Sequence, residues 1–105
     1  MVLARVRPAV FARDRACRVC GRLGQPDDHL HELWPRSLSR GLPPTLRFSL
    51  VNCIRVCPRC HPAITEHRIW PWVWGDGANG ILTWARERPP LEYRPRDLRK
   101  DYRLL

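Results

Sequence analysis

Two C-x-x-C pairs, Cys17-Arg-Val-Cys20 and Cys57-Pro-Arg-Cys60, carry the most specific chemistry in the chain. Tight turns that each present two thiolates satisfy the tetrahedral coordination of a structural zinc ion. Either pair alone also reads as a redox dithiol. Two pairs in one small basic chain, without a thioredoxin-like pattern around them, favour a four-cysteine zinc site. Cys53 is left over and fits a buried strand thiol. An ordinary zinc ribbon separates its pairs by roughly 15 to 20 residues, whereas residues 21–56 lie between these two. Something is therefore inserted between the halves of the site.

That insertion holds Asp28, His29, His31, Glu32 and Asn52, and His61 follows the second pair at once, with His67 further on. Imidazole and carboxylate together suit a divalent cation such as Mg, Mn, Zn or Ni. Each histidine alone reads as a surface imidazole, but their gathering around one knuckle points to a second cation site beside the zinc.

In this arrangement the sequence resembles the HNH endonucleases of the ββα-metal superfamily, in their zinc-knuckle branch common among phages. The resemblance rests on Cys17-x-x-Cys20-Gly21, on His31-Glu32-Leu33-Trp34-Pro35-Arg36-Ser37, on Asn52, and on Cys57-x-x-Cys60-His61. The lead-in Ala9 to Cys17 is similar to the family's helix before the first knuckle, and the likeness covers roughly residues 7–67. It implies that His31 and His61 hold one catalytic divalent cation (Mg, Mn, Ni or Zn) and that Asn52 braces the loop between two strands. The implied reaction is hydrolysis of a DNA phosphodiester, with the cation stabilising charge on the leaving 3' oxygen and a 5' phosphate left behind.

Two positions depart from the family's usual pattern. Its first motif is Asp-His or His-His with the second residue as general base, and here the dipeptide is His31-Glu32, a reading similar to that of a phage-associated branch. An ordinary Glu is a weaker base than His near neutral pH. Glu32 is thus one candidate base; alternatively Asp28-His29 is the true motif, or Glu32 ligates metal while His29 activates water. Many relatives also place a third ligand four residues after the helix histidine, where this chain has Thr65. His67, Glu66 or water then fills that role.

The elements that must position these groups are short, because 11 Pro and 6 Gly in 105 residues interrupt long helices and sheets. A helix is expected over residues 7–15 with Pro8 at its first position, strands over 28–34 and 50–56, a loop over 36–45, and a helix over about 60–68. The class is α+β: a ββα core at about 28–68 inside a nuclease domain spanning 1–85. Trp70, Trp72 and Trp74 alternate before the turn residues of 75–80 and read as core and lid packing. Residues 86–105 carry seven basic and four acidic side chains with three prolines, and read as an extended, weakly structured Arg/Pro-rich tail.

A net charge of +9, with 18 of the 19 basic residues Arg, points to a polyanionic partner, DNA. Arg13, Arg15, Arg36 and Arg40 are the candidate DNA contacts. No apolar run reaches the roughly 18 residues of a membrane span, and Arg5 and Arg7 near the start precede no signal-like stretch, so the expected location is the cytoplasm of a bacterium or phage-infected host, with no membrane partner. The resemblance adds phage packaging proteins as partners, since relatives are often encoded beside their genes. A noncatalytic zinc-stabilised DNA-binding module is the rival class. A zinc nucleobase deaminase requires H-x-E and P-C-x-x-C, and the chain has His29-Leu-His-Glu32 and Val56 before Cys57.

Overall fold

The computed structural model describes residues 2–100. Helix α1 (Val2–Arg13) leads to the first cysteine turn, then strand β1 (His29–Glu32), a one-turn helix α2 (Pro44–Arg47), strand β2 (Cys53–Val56) and helix α3 (His61–Thr65). A second hairpin follows, β3 (Trp70–Trp74) and β4 (Ile81–Ala85). The architecture is α+β, with two small antiparallel sheets of two strands each. Among the described residues no helix is long and apolar enough to cross a membrane.

In the first hairpin His29 faces Val56, Leu30 faces Arg55, His31 faces Ile54 and Glu32 faces Cys53. Side chains alternate across a strand, so one face carries His29, His31, Ile54 and Val56, and the other Leu30, Glu32, Arg55 and Cys53. Each face meets a different cluster. Ile54 and Val56 pack with Cys17, Leu33, Cys57, Ile64 and Ala78, while Cys53 packs with Val6 and Val10 of α1, flanked by Phe11, Leu30 and Phe48. Cys53 is the buried strand thiol expected, fully enclosed and pushed up to about 12 chiefly by burial, with the nearby Glu32 charge adding to it.

Several expected boundaries shift for identifiable reasons. Helix α1 begins well before residue 7 and carries Pro8 inside it, where the ring removes one donor without ending the helix. Strand β2 starts at Cys53, because the N–H groups of Asn52 and Cys53 both donate to the Ser49 carbonyl and turn the chain. Helix α3 stops at Thr65, and the chain reverses through His67 in the left-handed region at φ 57. Residues 36–43 are turns outside any helix or strand, as the expected loop requires, with Ser39 N–H donating to the carbonyls of Pro35 and Arg36. Only the end of the loop enters α2, which Pro44 opens as its first residue.

The tryptophans of β3 pack beneath the following segment, while the core side of the strand is filled by other residues. Pro71 and Val73 are the buried residues of β3, and Trp70, Trp72 and Trp74 occupy the opposite face. Residues 87–93 pack against that face rather than projecting as an arm. Tyr93 stacks on Trp72 and lies tilted against Trp74, Trp72 Nε1 donates to the Glu87 carbonyl, and Leu98 is 1% exposed. An apolar anchor and aromatic stacking overcome the disorder that prolines and charge alone suggest. Residues 101–105 of the expected tail lie outside the described residues.

Candidate functional site

The cysteine cluster begins in two turns. At the first, Gly21 adopts φ 77, which costs an L side chain but not glycine, and its N–H donates to the Cys17 carbonyl at 2.9 Å. At the second, the N–H groups of Cys60 and His61 both donate to the Cys57 carbonyl at 3.1 Å. Cys57 N–H donates to Cys17 Sγ at 3.3 Å across the two turns. All four sulfurs lie within 4.8 Å of one another, and all are free thiols. Cys20 and Cys57 are 3.9 Å apart, against about 3.8 Å between sulfurs on a tetrahedral zinc ion. Burial pushes the Cys57 thiol up, but the N–H groups of Cys60 and Arg59 and the neighbouring thiols outweigh it and bring it to about 7. Burial and the surrounding sulfurs push Cys60 up. The four cysteines are positioned to bind a metal ion, consistent with structural zinc.

The second group is a row of imidazoles. His61 opens α3 directly after Cys60, and His29 and His31 share one face of β1. His29 Nδ1 lies 2.8 Å from His61 Nδ1, and His31 Nδ1 lies 3.2 Å from His61 Nε2. Both outer rings stand edge-on to His61. The two-residue alternation of a strand is what places 29 and 31 together. Burial, then the neighbouring His61, depresses His31 to about 4, and burial with His29 lowers His61. Neutral rings keep a lone pair available at neutral pH. Among the described residues, the cysteines are the one group of three or more such side chains whose ligand atoms are all mutually close.

The other candidates fall in different places. Glu32 lies on the opposite face of β1, its carboxylate 3.4 Å from Arg47 Nε, so the strand that brings His31 to His61 turns Glu32 away from them. Asp28 is buried and fully engaged: it accepts from Gln25 N–H at 2.9 Å, Arg55 Nε at 2.6 Å and Arg22 at 3.2 Å. Burial tends to raise its pKa, yet the Gln25 N–H and the Arg55 and Arg22 guanidiniums hold it below the usual value. His67 stacks on Trp70 with ring centroids 4.5 Å apart, because the left-handed turn after α3 swings it onto β3.

Asn52 is 2% exposed, and both ends of its amide are used: Trp34 N–H donates to its oxygen at 2.7 Å and its nitrogen donates to the Arg47 carbonyl at 2.8 Å. It staples the two ends of the loop between β1 and β2. The four arginines also divide. Arg13 is a structural strut, donating to Asp14, to Asn79 and to the carbonyls of Leu50 and Cys53. Arg15, Arg36 and Arg40 are exposed. Arg47 and Ser37 join Arg36 and Arg40 around a recess of about 380 Å³, a grouping the sequence reading did not single out. The four-residue step from 36 to 40, in a segment with helical hydrogen bonds, is the signal that could have found half of it.

Set beside known proteins, the chain matches no family model, no curated protein and no solved structure.

Proposed function

We propose that the chain is a metal-dependent DNA endonuclease of the HNH type, with His31 and His61 as ligands of a divalent cation and a structural zinc on the four cysteines. The observation that carries this reading is the approach of His31 and His61, thirty residues apart in sequence, to 3.2 Å. Facing nitrogens at that separation suit two imidazoles on one cation, where about 3.4 Å is expected for tetrahedral geometry. A cation held there supplies Lewis-acid stabilisation of the charge that develops on the leaving oxygen of a phosphodiester.

The chain's own groups divide the remaining work. His29 is exposed and on the histidine face, which makes it the base that takes the proton from attacking water; an imidazole suits that task near neutral pH. Glu32 neutralises Arg47 and positions the loop. Asn52 fixes the loop ends. The surplus of Arg draws the polyanionic duplex to the site.

The test is supercoiled plasmid incubated with purified protein and Mg, Mn, Ni or Zn, beside a chelator control and a His31→Ala, His61→Ala double variant. The expected result is metal-dependent nicking or cutting that the double variant loses. Absence of cleavage with every metal would favour a noncatalytic zinc-stabilised DNA-binding module, a reading that draws on the fact that among the described residues no carboxylate joins the histidines in a group of three mutually close ligands.

A further inference from the structure

Arginines in this chain fall into two kinds. Arg13, Arg18 and Arg55 are saturated: Arg18 donates to Asp14 and to the carbonyls of Ala78 and Gly80, and Arg55 to Asp28, to Gln25 and, more weakly, to the Asp14 carbonyl. The guanidiniums of Arg36 and Arg40 have no protein partner among the described residues, yet both line the recess that Ser37 and Arg47 complete. Three guanidiniums line the recess, and of these Arg47 alone has a carboxylate against it, Glu32 at 3.4 Å. Like charges gathered around a concavity repel one another until an anion enters.

The walls are held in place before any ligand arrives. Leu38 N–H donates to the Pro35 carbonyl at 3.0 Å, Ser39 Oγ to the Arg36 carbonyl at 3.2 Å, and Ser39 is fully buried. Arg36 and Arg40 therefore project from one side of a fixed turn. Arg47 comes from α2, and Asn52 ties that wall to the other by bonding Arg47 and Trp34 together. Arg47 Nε is buried with no aligned hydrogen bond, its nearest charge being the Glu32 carboxylate at 3.4 Å.

We propose that the Arg36, Ser37, Arg40 and Arg47 recess is a preformed seat for one phosphate group, supplied by the backbone of duplex DNA, with Asn52 as the residue that holds its walls. The choice of duplex as the source rests on the nuclease reading; the phosphate chemistry does not. Guanidinium forks pair with two phosphate oxygens at once, and the Ser37 hydroxyl adds a neutral donor. A phosphate fixed at this point sets the register of the strand on the protein without reading its sequence.

The test uses the zinc-loaded full chain, labelled with ¹⁵N, with the Arg Nε–Hε signals followed as inorganic phosphate and then a short duplex are added. The expected result is a saturable movement of the Arg36, Arg40 and Arg47 signals with each. Arg36→Gln with Arg40→Gln abolishes the phosphate response and lowers the slope of log K for duplex on log salt by about one unit. Arg86→Gln with Arg94→Gln, which removes equal charge elsewhere, leaves the phosphate response intact. No movement of the three signals, or an undiminished response in the first double variant, overturns the seat. Movement with inorganic phosphate alone overturns duplex as its source. Plasmid cleavage, scored separately on the histidine variants, tells failure of the nuclease reading from failure of the seat.

Discussion

Glu32 and His29 share a strand but face opposite sides of it, and that parity decides which can act beside His61. Glu32→Gln keeps the shape of the side chain and leaves the histidine row untouched, so on the proposed nuclease reading cleavage is expected to stay within a few-fold of the parent. His29→Ala removes the group placed as base, and the expected loss is about a hundredfold or more, the usual weight of general base catalysis. Rates of plasmid nicking under one metal measure both; a dead Glu32→Gln enzyme of unaltered stability would reverse the assignment. Acid response belongs to this scale too. Asp14 and Asp28 are buried, and arginine contacts and backbone N–H groups, working against burial, hold both carboxyls below their ordinary value. A carboxyl depressed in the folded state contributes stability that is complete above its unfolded pKa and is lost as pH falls through the folded one. The folded state should therefore weaken below about pH 4 through this pair, and Asp28→Asn should flatten that part of the curve while destabilising the protein at neutral pH by about 3 kcal/mol, as removing one partner of a buried ion pair does. Denaturant midpoints at stepped pH values check both statements.

At the scale of elements, the cysteine turns hold α1, β2 and α3 together in a core too small to be secure alone. Cys57→Ser is expected to lose the bound zinc and to melt far below the parent, while Cys53→Ala, outside the cluster, retains one zinc per chain; metal analysis and thermal melts distinguish them. These same turns explain what was legible in the sequence. Ligand spacing and a proline in the first helical turn, Pro62, are local signals that located the cysteine cluster and α3, and strand-forming residue runs located β1 and β2 to within a few residues. His29 with His31 was legible as well, since period two in a strand puts them on one face, but motif likeness drew the reading to the His31-Glu32 dipeptide instead. The rest depended on contacts distant in sequence. Nothing near Asp28 announces that Arg55 will claim it, or that Gly24 is needed because any Cβ there would collide with the Arg55 guanidinium. Likewise the turn through His67, not its composition, removes it from the histidine row.

For the whole molecule, the segment after β4 is the clearest case of composition misleading. Its charge and prolines suit an arm, yet Tyr93 packs it against the outer face of β3, Leu98 is buried, and Arg99 lies 5.3 Å over the Trp34 ring at the loop that carries the arginine recess. It thereby joins the second hairpin to the first. That hairpin is in turn fastened to the first cysteine turn, where Trp84 Nε1 donates to the Arg18 carbonyl at 2.9 Å, and to the chain before β2, where Ala78 N–H donates to the Val51 carbonyl at 2.8 Å. Loss of the segment should be felt globally. Leu98→Ala leaves a cavity and is expected to cost about 3 kcal/mol, a fall of several degrees in the melting temperature. Removing residues 86–105 uncovers Trp72 and Trp74 and should lower stability further, with a red shift in tryptophan emission. An arm that merely trailed from the fold would leave both melting and emission unchanged, so equal melting temperatures for the parent and the shortened chain would return the segment to the role its composition suggests.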